Sequence, residues 1–186
     1  NKNFPDRVAR MEQYGLFNIQ RIPLGIAYYF IPVWVFKWSN GHLILHDSFH
    51  RLIDVTEMPP SSFFLTDGFL LLFSGLFVCS AIKCKRRTGI DYAAASLNMA
   101  GLFVAPLLMM MAISMNFRYR AEFYPIILFT AFLGAVAVPQ AWLGNAWFKR
   151  LCIALVCLSI FSSCVVLLMY KNSFFGPPEE LVTESV

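Results

Sequence analysis

Apolar positions in this chain come in long unbroken blocks rather than in the every-third-or-fourth rhythm of a half-buried helix. Five blocks stand out: 22–38 ("IPLGIAYYFIPVWVFKW"), 69–82 with an extension back to Phe63, 92–115, 125–142 and 151–170. A helix needs about 20 apolar residues to cross the hydrocarbon core of a bilayer. The pattern therefore predicts an all-α, polytopic transmembrane helical bundle of about five spans. Residues 1–21 form a surface segment before it, and 171–186 a polar tail after it. Pro23 suits the first turn of a helix, whereas Pro32 and Pro106 fall inside apolar blocks and predict kinks. The mixed stretch "RMEQYGLFNIQ" and the first long connection, 39–67, each have the look of a helix lying on a membrane surface. In the latter, Leu45, Phe49, Leu52 and Ile53 form an apolar stripe opposite Asp47 and Arg51.

Composition agrees. Hydrophobic residues make up 58% of the 186 and charged residues 14%, with a mean hydropathy of +0.61. Soluble domains hold about 45–50% apolar and about 25% charged residues. The five cysteines are odd in number and lie in or beside apolar blocks, which does not describe a disulfide framework or a zinc site. No nucleotide-binding loop, nucleophile elbow or nucleic-acid signature is present, and no cofactor is expected. The chain opens on Asn1, which suggests a processed product or part of something longer.

Basic residues set an expected orientation. Lys83, Lys85, Arg86 and Arg87 fall between the second and third blocks, and Lys149 and Arg150 between the fourth and fifth. With Lys2, Arg7, Arg10 and Arg21 they give ten on one side, against Lys37, Arg51, Arg118, Arg120 and Lys171 on the other. The positive-inside rule makes the richer side cytoplasmic. The expectation is an N-terminus inside, a C-terminus outside, and an extracytoplasmic face carrying both the 39–67 loop and residues 116–124.

That face holds the candidate chemistry. "NFRYRAEFYP" puts Arg118, Tyr119, Arg120 and Glu122 just before Pro125, where a helix begins. A helix N-terminus offers unpaired N–H groups and partial positive charge, and arginine grips phosphate through two parallel hydrogen bonds. The four residues can form an anion site, with Glu122 orienting an arginine. They equally describe an interfacial anchor, with arginines reaching toward headgroups. His42, His46 and His50 recur every four residues, so His46 and His50 are weak metal candidates without a second ligating motif. Asp54, Glu57 and Asp67 are acidic candidates in the same loop, where Pro59-Pro60-Ser61-Ser62 also reads as a turn with a serine N-cap.

The stretches "ISMNFRYRAEFYPIILF" and "LIDVTEMPPSSFFLTD" resemble the C-terminal region of large bacterial membrane proteins with the C-type glycosyltransferase architecture. The resemblance implies a bacterial inner-membrane protein that handles a polyprenyl-phosphate-linked sugar at the extracytoplasmic face. It carries over only Arg118, Tyr119, Arg120 and Glu122, as a donor-phosphate region. The usual catalytic Asp of such enzymes lies in an early outer loop that this chain lacks, so the resemblance implies either a missing N-terminal half or a protein that has lost catalysis. The alternative is a non-catalytic accessory subunit packed on other membrane subunits, with membrane lipids as the remaining partner.

Overall fold

The computed structural model describes residues 5–31, 51–55, 61–82 and 90–171. The histidines, Glu57, the basic cluster 83–87 and most of the 39–67 loop, including its predicted surface helix, lie outside the described residues. Within them the chain is mostly helical. Three helices are long and apolar enough to cross a membrane: Tyr92–Met111, Arg118–Ala137 and Ala146–Leu168. Gly68–Ile82 is apolar but shorter.

Prolines and short polar caps decide where the predicted blocks stop. The first helix, α1, is Pro5–Tyr14, and Gly15 ends it at φ +76°. It overlaps the N-terminal part of the stretch expected to form a surface helix. A 3-10 turn, Ile19–Arg21, leads into α2, Ile22–Phe30. Pro32 was expected to kink this helix; instead Ile31 is already extended, at ψ 135°. The residue before a proline is pushed out of helical geometry, so the helix stops there. The second block is broken in two: α3, Phe63–Thr66, and α4, Gly68–Ile82, meet at Asp67. Asp91 caps α5, Tyr92–Met111, by accepting from the Ala93 and Ala94 amides at 3.0 and 3.2 Å. Helix α5 ends short of the predicted Met115 because Ser114 and Met115 pair in parallel with Asp54 and Val55. A 3-10 helix, Phe117–Phe123, then runs into α6, Tyr124–Ala137, which stops before Pro139 for the same steric reason as α2. A single turn, α7, Gln140–Leu143, precedes the long α8, Ala146–Lys171.

Helices α4 and α6 run parallel and form the closest pair. Asp67 meets Tyr124 at one end, and one or two turns further Thr130 donates to Ser74 at 2.8 Å. Ser74 donates in turn to the Ile127 carbonyl at 3.2 Å. Gly134 makes the approach possible: a Cβ there would overlap the Phe73 carbonyl. Small residues serve this purpose in membranes, where no hydrophobic force drives helices together and close packing must. Helix α8 lies antiparallel to α4, with Phe148 against Phe73 and Leu155 against Gly68. At the far end of α4, Tyr92 stacks on Phe77 at 6.0 Å and shares a hydrogen bond with Ser80.

One buried charge fixes where the N-terminal segment packs. Arg21, counted above with the cytoplasmic residues, is fully buried and donates to four backbone carbonyls. They belong to Leu52 (2.7 Å), Leu16 (2.8 Å), Gly15 (2.9 Å) and Met111 (3.2 Å). Met111 is the last residue of α5, so residues 15–21 lie at the end of α5 opposite Tyr92. A 20-residue helix is about 30 Å long. The N-terminal segment therefore shares an end with Ser114–Met115, not with the junction of α4 and α5. The physical reason is that Arg21 is no solvated charge. It sits at the negative, carbonyl-rich end of a helix, where a cation is stabilised.

Two substitutions test this packing. Arg21→Met leaves those carbonyls without their donors and should lower unfolding stability by about 2–4 kcal/mol, the scale of charged hydrogen bonds lost from a buried site. Gly134→Leu should force α4 and α6 apart and lower the melting temperature, whereas Gly75→Leu, where a Cβ meets nothing within 4 Å, should not. Thermal unfolding in detergent micelles reads both, and an unchanged melting temperature for Gly134→Leu would remove the close-contact argument.

Candidate functional site

The arginine motif folds as a 3-10 helix because of its two ends. Asn116 caps the start, accepting from the Arg118 amide at 3.0 Å. Pro125, lacking an N–H, withholds the hydrogen bond that would extend α-helical geometry backward. With three residues per turn, positions three apart share a face. Arg120 and Phe123 are both buried, while Arg118 and Ala121 are both exposed. The two arginines expected to act together thus point to different surroundings.

Arg120 points inward. Its Nη2 donates to Asp67 Oδ2 at 2.8 Å and to the Thr66 hydroxyl. Thr66 donates to the same carboxylate oxygen at 2.6 Å, and the Tyr124 hydroxyl donates to it at 3.2 Å. The guanidinium carbon lies 4.2 Å from the centre of the Phe63 ring. Phe63 is fully buried and packs against Phe30, Phe123 and Tyr124. Cation, carboxylate, hydroxyls and aromatic face are packed together. Asp67 stands at the N-terminal end of α4, where the helix dipole favours a negative charge. Leu155 lies beside Gly68, so the pair is level with the middle of the apolar stretch of α8.

Arg118 and Glu122 point outward. Arg118 lies over the Tyr119 ring, 5.4 Å from its centre. Glu122 is exposed; the carboxylate that orients Arg120 is Asp67, which corrects the role assigned to Glu122. Of the acidic loop candidates, Asp67 enters the site, Asp54 has its backbone in the strand pair, and Glu57 lies outside the described residues. Ser62 takes the N-cap position of α3, but its hydroxyl makes no cap bond; its carbonyl instead accepts from the Leu65 and Thr66 amides. No group of three metal-ligating side chains occurs among the described residues. Thr66, Tyr124 and Phe63 were not singled out from sequence. The available signal was a threonine-aspartate pair opening an apolar helix, which is unusual at membrane depth.

Comparison with protein-family models, curated proteins and solved structures gives no match.

The arrangement makes a definite prediction about stability. Asp67→Ala or Arg120→Ala alone strands a buried charge and should cost about 3–5 kcal/mol. Asp67→Leu combined with Arg120→Met removes both charges and should recover much of that loss. Chemical unfolding of the parent, the single variants Asp67→Leu and Arg120→Met and their double variant supplies a double-mutant cycle, and additive losses would show that the pair is not coupled.

Proposed function

We propose that this chain is the membrane portion of a glycosyltransferase-like protein that holds, rather than transforms, the phosphate of a polyprenyl-linked sugar. The observation that carries the reading is the division of the arginine motif. Arg120 is committed to Asp67 and fixes the turn, and the fixed turn presents Arg118 outward beside Tyr119 and Glu122. Exposed charge next to apolar helices calls for a polar occupant, because hydrocarbon does not tolerate it. A phosphate on a lipid tail meets both demands, with the guanidinium taking the phosphate and the apolar helix surfaces the tail. Arg120, Asp67 and Tyr124 are positioning residues here, and no residue is assigned to bond making or breaking.

The second reading is an accessory subunit without lipid-phosphate binding. It is favoured by α8, none of whose apolar window is buried within the chain. That surface is available to lipid tails or to another membrane helix.

Binding of a polyprenyl phosphate to the purified chain in nanodiscs separates the two. Arg118→Ala should weaken binding roughly 10- to 100-fold, the scale of a lost charge-assisted contact, and leave the melting temperature unchanged. Arg118→Lys should recover only part of the affinity, since lysine lacks the fork. Equal affinity of parent and Arg118→Ala would favour the accessory-subunit reading.

A further inference from the structure

We propose that the loop from Gly15 to Ile19 is a membrane-interface anchor, seating Leu16, Phe17 and Ile19 in the boundary between headgroups and acyl chains at the C-terminal end of α5. The inference is independent of phosphate binding at Arg118.

The loop's backbone is held rigidly. Arg21 gathers the carbonyls of Gly15 and Leu16 inward, at 2.9 and 2.8 Å. Phe17 bridges to Ala112 in antiparallel fashion, and the Asn18 amide donates to Met111 at 3.0 Å. The Asn18 side chain ties both flanks, donating to the Tyr14 carbonyl and accepting from the Gln20 amide. With the backbone fastened at these points, three apolar side chains of this short loop are left exposed. Leu16 is 50% exposed, Phe17 48% and Ile19 70%, and Met11 on the preceding helix turn is 43% exposed.

The occupant follows from where the loop is bonded. Met111 and Ala112 mark the end of a helix long and apolar enough to cross a membrane. A loop tied directly to that end is placed at the membrane boundary. Polar, exposed residues flank it, with Glu12 and Gln13 just before the half-buried Tyr14 and Gln20 directly after the loop. Apolar side chains bracketed by polar ones at a helix end match the boundary layer, where an apolar surface dips only about 5–10 Å below the headgroups. Three large apolar side chains held outward in water would be an unexplained loss of burial.

Site-directed spin labelling of the full chain in nanodiscs of phosphatidylethanolamine and phosphatidylglycerol tests this. In a variant with its five cysteines replaced by alanine or serine, Ile19→Cys carries the nitroxide. Collisions with oxygen should exceed those with a soluble nickel chelate, at a depth of about 5–10 Å below the phosphates. A label dominated by the nickel reagent would place the loop in water and overturn the proposal. Suppression of both collision rates would place it under a protein partner or second copy, which also overturns it. If the cysteine-free background fails to fold, Phe17→Trp in the otherwise native chain gives the same decision. Its added fluorescence should be quenched by lipids brominated near the headgroup more than by those brominated near the chain end. Equal or absent quenching counts against the anchor.

Discussion

Placing two full charges inside an apolar helical bundle is the constraint around which the rest of this structure is arranged. Removing a carboxylate and a guanidinium from water costs several kcal/mol for each ion even after relaxation. Asp67 and Arg120 meet that cost collectively: one carboxylate oxygen accepts from Arg120, Thr66 and Tyr124, while the guanidinium also lies on the Phe63 face. The parallel course of α4 and α6 follows from the same need. Running in parallel, the two helices bring Tyr124 at the start of α6 to the carboxylate at the start of α4, whose dipole favours the negative charge. Gly134 and the Ser74–Thr130 bond then hold the helices at the separation this geometry requires.

The second buried guanidinium obeys the complementary rule. Arg21 takes four carbonyls, one of them from the last residue of α5. Helix C-termini leave carbonyls unpaired and carry partial negative charge. Anion at a helix start and cation at a helix end are one electrostatic principle applied twice. Together they join chain segments that are distant in sequence: 66–67 with 120–124, and 15–21 with 52 and 111.

How much of this was legible depended on range. Apolar blocks identified the helical segments because membrane burial writes itself into composition over about 20 residues. Boundaries were less secure: Pro32 and Pro139 ended helices through the residue before them, and the strand pair at Ser114–Met115 could not be inferred from its own two residues. Counting basic residues treats each as a solvated charge, and the buried Arg21 is not one. The site was half legible. Arg118 and Arg120 stand out in an apolar chain, yet two positions apart on any helical turn do not face the same way. Asp67 was noticed in its loop, but its partner lies 53 positions along the chain, and no local pattern encodes that distance.

The electrostatics also limit what the outward half of the motif can do. Asp67 neutralises Arg120, and the exposed Glu122 offsets the exposed Arg118, so the turn as a whole carries no net positive field. A freely dissolved phosphate would gain little long-range attraction from it, because screened, mutually cancelling charges act only at contact. A phosphate tethered to a lipid is different. Confinement to the bilayer raises its effective concentration beside the protein, and a linked ligand needs far less from each contact than a free one. Under the proposed reading, such a phosphate would meet one guanidinium held in a fixed direction by a turn that its neighbour locks in place. The buried arginine contributes geometry, and recognition would fall to the exposed one.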